Sequence, residues 1–450
     1  MLSTVQKSPS SSDTNGTSGV RRHRVVIVGG GAAGMELATG LGRNTAFAVT
    51  LVDKARTHVW KPKLHEIAAG SMDVGRHEVG YLAHARRHGY TFRVGALESV
   101  DRVTKTVSVA AYVDQFGEQV TPSRSFAYDT LVVAVGSQSN DFGTPGVGAH
   151  ALRLESLGDA VRFNRRLTNA CFRAQSQSGP LGAAQLRICI IGAGATGVEL
   201  AAELHSAGQE IFGEAAIDSK SPKLDIHLVE AAERILPALS PKVSAAAEHL
   251  LLVKGVKVQK ASRVLEIRPS SVVLADGGEL HAELIVWAAG VKAPDVLSEL
   301  SGLQSNRANQ LVVRPTLQTT LDENIFAIGD CAACSRADGK GLVPPRAQAA
   351  HQQAVFLASS LEDRVAGRPL PHYEYRDFGS LISLGARSTV GTLMGGLIGR
   401  GMFVEGMMAK AMYTSLYKSH EIALHGWRRV GMESVARLLL PSSGARVKLH

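Results

Sequence analysis

Short apolar runs, each closed by glycine, a carboxylate or small residues, alternate along this chain with longer helical stretches. Arg24–Val28 in RHRVVIVGGGAAGMELATGL reads as a buried parallel strand, and Gly29-x-Gly31-x-x-Gly34 turns it into a helix. A second strand, Val49–Val52, ends at Asp53. The pattern recurs at LRICIIGAGATGVELAAEL, where Leu186–Ile191 runs into Gly192-x-Gly194-x-x-Gly197 and the acid closing LDIHLVE is Glu230. Between each glycine turn and the next long strand lie shorter β-like runs, KTVSVAAYV and SSVVLADGGEL. Apolar strands ending in small residues follow, YDTLVVAVGS and ELIVWAAGVKAP, the latter carrying Gly290. A last strand, Ile325–Ile328 of DENIFAIGDCA, ends at Gly329-Asp330. Buried strands alternating with helices predict an α/β fold built from two Rossmann-like dinucleotide-binding domains.

The glycines keep side chains out of the way where a pyrophosphate approaches a helix N-terminus, and Asp53 or Glu230 can hold a ribose 2′-OH. A GxGxxG turn alone is weak, because a purely structural glycine turn looks the same. The strand, helix and acid around each copy strengthen the nucleotide reading. Glu230 lies 38 positions after Gly192 while Asp53 lies 24 after Gly29, and the extra length falls in HSAGQEIFGEAAIDSKSPK, read as an elongated helix and loop. An acid at that strand end repels a 2′-phosphate and favours NADH over NADPH, although Arg234 lies nearby.

Size and composition narrow the picture. A chain of 450 residues, 45% hydrophobic and 20% charged, exceeds one ordinary core, so two or three domains are expected. The net charge of +9 suggests an anionic partner. With only 5% aromatic residues and no basic run interleaved with aromatics, no nucleic-acid partner is expected, and an acidic membrane surface fits better. Four cysteines do not make a disulfide framework. Residues 1–22 are polar and read as a disordered tail, not as a secretory signal. No segment offers the ~18 consecutive apolar residues of a spanning helix.

The order of these motifs, from the first GxGxxG to IFAIGD, resembles the two-dinucleotide-binding-domain flavoproteins over roughly residues 24–360. The resemblance implies that the first loop (Gly29, Gly31, Gly34, Asp53) holds FAD, the second (Gly192, Gly194, Gly197, Glu230, with Gly290) holds NADH, and Gly329-Asp330 grips the flavin. It implies an FAD-binding domain at 23–149 and 296–360, split by an NADH-binding domain at 150–295, with a C-terminal domain at 361–450. Members that reduce disulfides place a cysteine pair against the flavin, but HVWKPKLHEIAAGSMD and GAGATGVELAAEL contain none. Cys331 and Cys334 fall beyond Asp330 and read as small packing residues; a zinc site would want further ligands at suitable spacing, so no metal is expected.

LVPPRAQAAHQQAVFLASSL reads as a helix with Pro345 at or near its first turn, and Gln348, His351 and Gln352 share a face by spacing. AQAAHQ resembles the AQxxxQ motif of the type II NADH:quinone oxidoreductases. That likeness implies Ala347 and Gln348 at the flavin and Gln348 and Gln352 lining the place where a quinone meets it. The alternative is a solvated polar face, and for His351 the bland surface role stays in front. By the same likeness Glu199 lies near nicotinamide and flavin, Glu203 is a weaker candidate, and Lys61 of WKPKLHE contacts flavin.

In the C-terminal ninety residues, Gly391, Gly395, Gly396, Gly399 and Gly401 form a flexible or close-packed lead-in. Phe403, Val404, Met407, Met408, Ala411, Met412 and Leu416 fall on one helical stripe, with Trp427 and a basic rim beyond. That describes a membrane-associating α+β region, or a helix that covers its own domain. AMYTSLYKSHEIALHG resembles the bacterial members, which implies a peripheral, monotopic protein on the cytoplasmic face of the inner membrane. The expected function is FAD-dependent electron transfer from NADH to a quinone without proton pumping. A soluble reductase of an electron-carrier protein and a flavoprotein with a mainly protein-interaction role are the rivals. A homodimer stays open.

Overall fold

A computed structural model describes residues 21–213, 222–385, 389–394 and 401–439; the expected polar tail lies, but for Arg21 and Arg22, outside the described residues. The first strand, His23–Val28, is buried from Val25 onward, as an apolar run covered on both faces must be. It sits third in a five-stranded parallel sheet ordered Ile325–Ala327, Thr130–Val133, His23–Val28, Phe47–Asp53, Thr91–Val94. A second parallel sheet orders Lys257–Gln259, Asp225–Val229, Arg187–Ile191 and Leu284–Trp287. The two shorter β-like runs form strands of three-stranded antiparallel sheets, one in each repeat.

Ile325–Ala327 joins the first sheet only after the second is complete, so the second is inserted into the first. The strand ends of the two meet directly, where Gln138–Ser139 pairs antiparallel with Val291–Lys292. Each glycine turn leads into a helix, α1 (Ala32–Leu41) after the first. The short helix α2 (Leu64–Ala69) comes from the first repeat yet packs its Leu64, Ile67 and Ala68 into the second repeat's core beside Phe163 and Leu204. The second turn leads into α3 (Ala195–Phe212), whose length bears out the elongated helix; the loop after it, 214–221, lies outside the described residues.

Helix α4 (Ala347–Val365) starts later than expected. Arg346 is its cap in extended conformation, so Pro344 and Pro345 form a lead-in and not the first turn. The C-terminal region is a three-stranded antiparallel sheet (Gly379–Ser383, Thr389–Met394, Gly401–Glu405) followed by α5 (Gly406–His425) and α6 (Trp427–Leu439). Here the expected stripe needs correcting. Phe403 and Val404 belong to the strand, and Gly406, at φ 75°, separates strand from helix. Of the lead-in glycines Gly391 is close-packed, since a side chain there would strike the Ser380 carbonyl of the paired strand; Gly401 opens the third strand, and Gly395, Gly396 and Gly399 lie outside the described residues. On α5, Ala409, His420 and Leu424 face inward, whereas Met407 (84%) and Met408 (65%) are exposed, as is Ala411. Among the described residues no helix is long and apolar enough to cross a membrane.

Candidate active site

The two glycine loops are built alike. A Cβ on Gly34 would run into the Gly29 carbonyl, and one on Gly197 into the Gly192 carbonyl, so the third glycine lets the helix seat on its strand. Gly29 and Gly192, at φ 106° and 97°, hold the turn itself. Gly31 and Gly194 differ in kind, since a Cβ there meets nothing within 4 Å. They cap α1 and α3, and the helix N-termini behind them face open space. That suits a pyrophosphate, with unpaired N–H groups and the helix dipole turned toward it. Asp53 accepts from the N–H groups of Gly30 (2.6 Å) and Ala55 (2.7 Å), and Glu230 from those of Ala193 (2.7 Å) and Ala232 (2.9 Å), so each acid also braces its own loop. Arg234 is committed to the carbonyls of Leu239 and Pro237, both at 2.7 Å.

Gly329, at φ 74°, leads into Asp330, which lines a cavity of about 220 Å³ together with Ser137, Lys292, Gln310 and Pro345. Ser137 Oγ donates to Asp330 (2.7 Å), and Lys61 Nζ donates to the Ser137 carbonyl (2.7 Å). Asp330, Ser137 and Lys61 are thus brought together, where a carboxylate and an ammonium can meet the polar chain of a flavin. Gly290 adopts φ 63°, a conformation that favours glycine, and a side chain there would displace the exposed Phe142 ring.

The face expected for α4 splits. Gln348 donates to the Gly379 carbonyl (3.0 Å) and accepts from Phe378 N–H (3.2 Å), while Gln352 exchanges hydrogen bonds with the backbone of Arg376 (2.8 and 3.0 Å). His351 turns the other way, to Glu36 on α1 (2.5 Å). An i to i+3 step turns 300°, so His351 sits 60° back from Gln348 while Gln352 sits 40° beyond it, enough to reach different neighbours. Ala347 opens the helix, and Gln353, which sequence reasoning passed over, is buried and accepts from Gly329 N–H (2.6 Å).

Glu199 is buried on α3 and accepts from Ser383 N–H (3.0 Å). Burial drives its carboxyl up to about 8 against the Ser383 N–H, with the neighbouring charges of Lys63, Glu66 and Glu203 acting beyond it. His65 Nδ1 stands 3.6 Å from it, and Tyr413 of α5 shares a hydrogen bond with it. Glu203, one turn on, accepts from Ser71 Oγ (3.1 Å) and is likewise pushed up by burial. Strand Gly379–Ser383 joins the two groups of candidates: Gln348 holds its first residue and Glu199 its last, four residues or about 13 Å apart.

Burial pushes the Cys331 thiol up to about 12 and that of Cys334 up to about 11, and Cys331 Sγ donates to the carbonyls of Val133 and Ile328. These are packed thiols, not thiolates.

A further set of residues carried no signal in the motifs. Gly30 O accepts from Tyr81 OH (2.6 Å) and His58 Nδ1 (3.0 Å). His58 Nε2 meets His420 Nε2 of α5 (3.1 Å), and His420 Nδ1 donates to Glu36 (2.5 Å), which also accepts from His351. Burial opposes ionisation of Glu36, but the hydrogen bonds from His351 and His420 prevail and hold its carboxyl below the ordinary value. A glutamate inside an amphipathic helix and histidines scattered over hundreds of residues give no local pattern to read.

Comparisons with known proteins agree with this construction. Residues 23–354 match the pyridine nucleotide-disulphide oxidoreductase family. The chain is 43% identical over 448 residues to the type II NADH:quinone oxidoreductase of Haemophilus influenzae, covering 95% of this chain and 99% of that one. It is 29% identical over 381 residues to the protein of the same name from Staphylococcus aureus, covering 83% of this chain and 90% of the relative. The solved structure of NDH2 from Plasmodium falciparum in complex with NADH shares the fold, with a TM-score of 0.77 at 17% identity, over 95% of this chain and all of that one. Two matched nucleotide loops, an inserted second repeat and a relative of this identity along nearly the whole length leave one placement: the chain is an FAD- and NADH-using member of the type II NADH:quinone oxidoreductases, within the pyridine nucleotide-disulphide oxidoreductases.

Proposed function

We propose that this chain oxidises NADH and passes two electrons to a membrane quinone without pumping protons, as a monotopic protein on the cytoplasmic face of the inner membrane. The carrying observation is strand Gly379–Ser383, which ties the glutamines of α4 to Glu199 and leads into the sheet that precedes the exposed methionines of α5. The first loop with Asp53, Lys61, Gly329, Asp330 and the start of α4 at Ala347 and Gln348 holds FAD. The second loop with Glu230 and Gly290 holds NADH. Bound FAD supplies a hydride acceptor toward NADH and a two-electron donor toward the quinone.

The chain's own groups do the rest. Glu199, with its carboxyl at about 8, keeps a proton at neutral pH and can release it to a reduced product. Gln348 and Gln352 position segment 376–379, and so the strand that carries Ser383 to Glu199. Met407 and Met408 at the start of α5 and Trp427 at the start of α6 are exposed, and Arg428 and Arg429 are at the surface next to Trp427, apolar side chains and cations of the kind that settle on anionic lipid.

The test is NADH oxidation by FAD-loaded protein with a short-chain quinone, a disulfide and a ferredoxin-type carrier as alternative acceptors, together with flotation on vesicles. Turnover with quinone alone, and flotation on anionic vesicles that Met407→Ser/Met408→Ser weakens, are expected. Turnover with the carrier protein and none with quinone would overturn the reading.

A further inference from the structure

His65 presents an arrangement that the electron-transfer chemistry does not explain. It is 2% exposed. Its Nδ1 stands 3.6 Å from Glu199 Oε2, and its Nε2 has no hydrogen-bond partner. Nε2 is therefore the nitrogen open to a ligand. It stands 3.9 Å from Glu66 Oε1, and Glu203 brings a second carboxylate across from α3. One donor atom from each of His65, Glu66 and Glu203 lies within 4.8 Å of the other two.

Three lone-pair donors facing one another in a buried space repel unless something positive stands among them. Lys63 already pairs with Glu66 Oε1, the oxygen that faces His65, and Ser71 serves one oxygen of Glu203, so within the cluster the His65 Nε2 is the atom left without a hydrogen-bond partner and a divalent ion would take the place of the ammonium. A buried imidazole with a carboxyl group beside Nδ1 and an unpartnered Nε2 turned to Glu66 has the arrangement of a metal-ligating histidine, whose second nitrogen faces an outer carboxyl. Donors about a zinc ion at roughly 2.1 Å stand ~3.4 Å apart, so closing this cluster takes about an ångström of side-chain movement. Nitrogen and carboxylate oxygen together suit a borderline divalent ion.

We propose that His65, Glu66 and Glu203 form a binding site for one divalent cation of the zinc class, bridging α2 of the first repeat and α3 of the second. Because the two helices belong to different repeats, the ion would pin the junction between the nucleotide folds. Binding needs neither quinone nor the role given above to Glu199, so the two readings stand or fall separately.

The experiment uses the FAD-loaded full chain, titrated with Zn²⁺ by calorimetry and with Co²⁺ followed by its visible absorption. One strong site per chain is expected. Glu203→Gln, which keeps shape and removes the charge, weakens it at least about tenfold, and His65→Ala abolishes it. His281→Ala, which removes an exposed histidine, leaves the affinity unchanged. Flavin content and melting temperature establish that each variant is folded, and if His65→Ala fails that check Glu203→Gln decides. Affinity in Glu203→Gln equal to that of the unaltered chain, or no site stronger than that of isolated surface histidines, overturns the proposal.

Discussion

The two repeats carry the same glutamate in the same place, two residues after the third glycine of each loop: Glu36 in GAAGMEL and Glu199 in GATGVEL. Both are buried. Their fates are opposite. Glu36 is held ionised between His351 and His420. Glu199 meets a backbone N–H and a half-buried tyrosine, and its carboxyl rises to about 8. The loops differ in the same sense. The Gly30 carbonyl is clamped by Tyr81 and His58 and through them tied to α5, whereas the Ala193 carbonyl takes one backbone bond, from Leu236 N–H (2.8 Å). A loop braced from both sides suits a cofactor that stays; a freer loop suits one that comes and goes. Titratable pairs whose environments push their pKa values apart mark a division of labour, here between structure and chemistry.

Breaking the loops themselves gives the largest effect. Gly34→Ala is expected to yield protein without flavin, because the backbone overlap has nowhere to relax. Gly197→Ala is expected to keep flavin while its Michaelis constant for NADH rises about a hundredfold or more. Flavin-to-protein ratio and steady-state kinetics separate the two.

The paired glutamates come next. Glu36→Gln strands two histidines on a neutral partner, and breaking a buried ionic cluster costs about 3–5 kcal/mol. A lower melting temperature and faster FAD release are expected, with the NADH Michaelis constant unmoved. Glu199→Gln is expected to fold as well as the parent. In the parent, the Glu199 carboxyl titrates at about 8 in the fold against 4.5 when unfolded, so its ionisation is resisted and its contribution to stability falls as pH rises from about 4.5 to about 8, then levels. Thermal melts across pH should show that decline in the parent and its loss in Glu199→Gln.

On the proposed function the same group is expected to set a rate limb. Turnover that draws on the protonated acid falls as pH passes about 8, and Glu199→Gln lowers kcat and erases that limb. Smallest of all, Gln352→Ala removes two neutral hydrogen bonds to Arg376, each contributing about 0.5–1.5 kcal/mol. A several-fold rise in the Michaelis constant for quinone, with flavin reduction by NADH unchanged, is the expected outcome; a change in the NADH half-reaction would assign Gln352 elsewhere.

What the sequence showed follows from range. Strand, glycine turn, helix and acid lie within one βαβ unit, so their residues signal together, and both loops formed as read. The Ile325 strand was legible because a buried central strand is an apolar run wherever it falls. His58 and His420 meet across 362 positions, and Ser383 reaches Glu199 across 184, through folding that no window contains. Phe403 and Val404 kept helical spacing with Met407 by coincidence; Gly406 at φ 75° breaks the element between them. Gln353 was hidden by its neighbours, since only the rotation of α4 decides which of three adjacent polar residues turns inward.

The proposed function has electrons that leave NADH reach the quinone through flavin with no sulfur between, and rapid mixing of an FAD-loaded Cys331→Ser/Cys334→Ser variant tests this most directly. NADH added first should bleach the flavin, and quinone added second should restore its colour, both at the rates of the unaltered chain. Bleaching that quinone fails to reverse in the variant, while the unaltered chain recovers, would contradict the account.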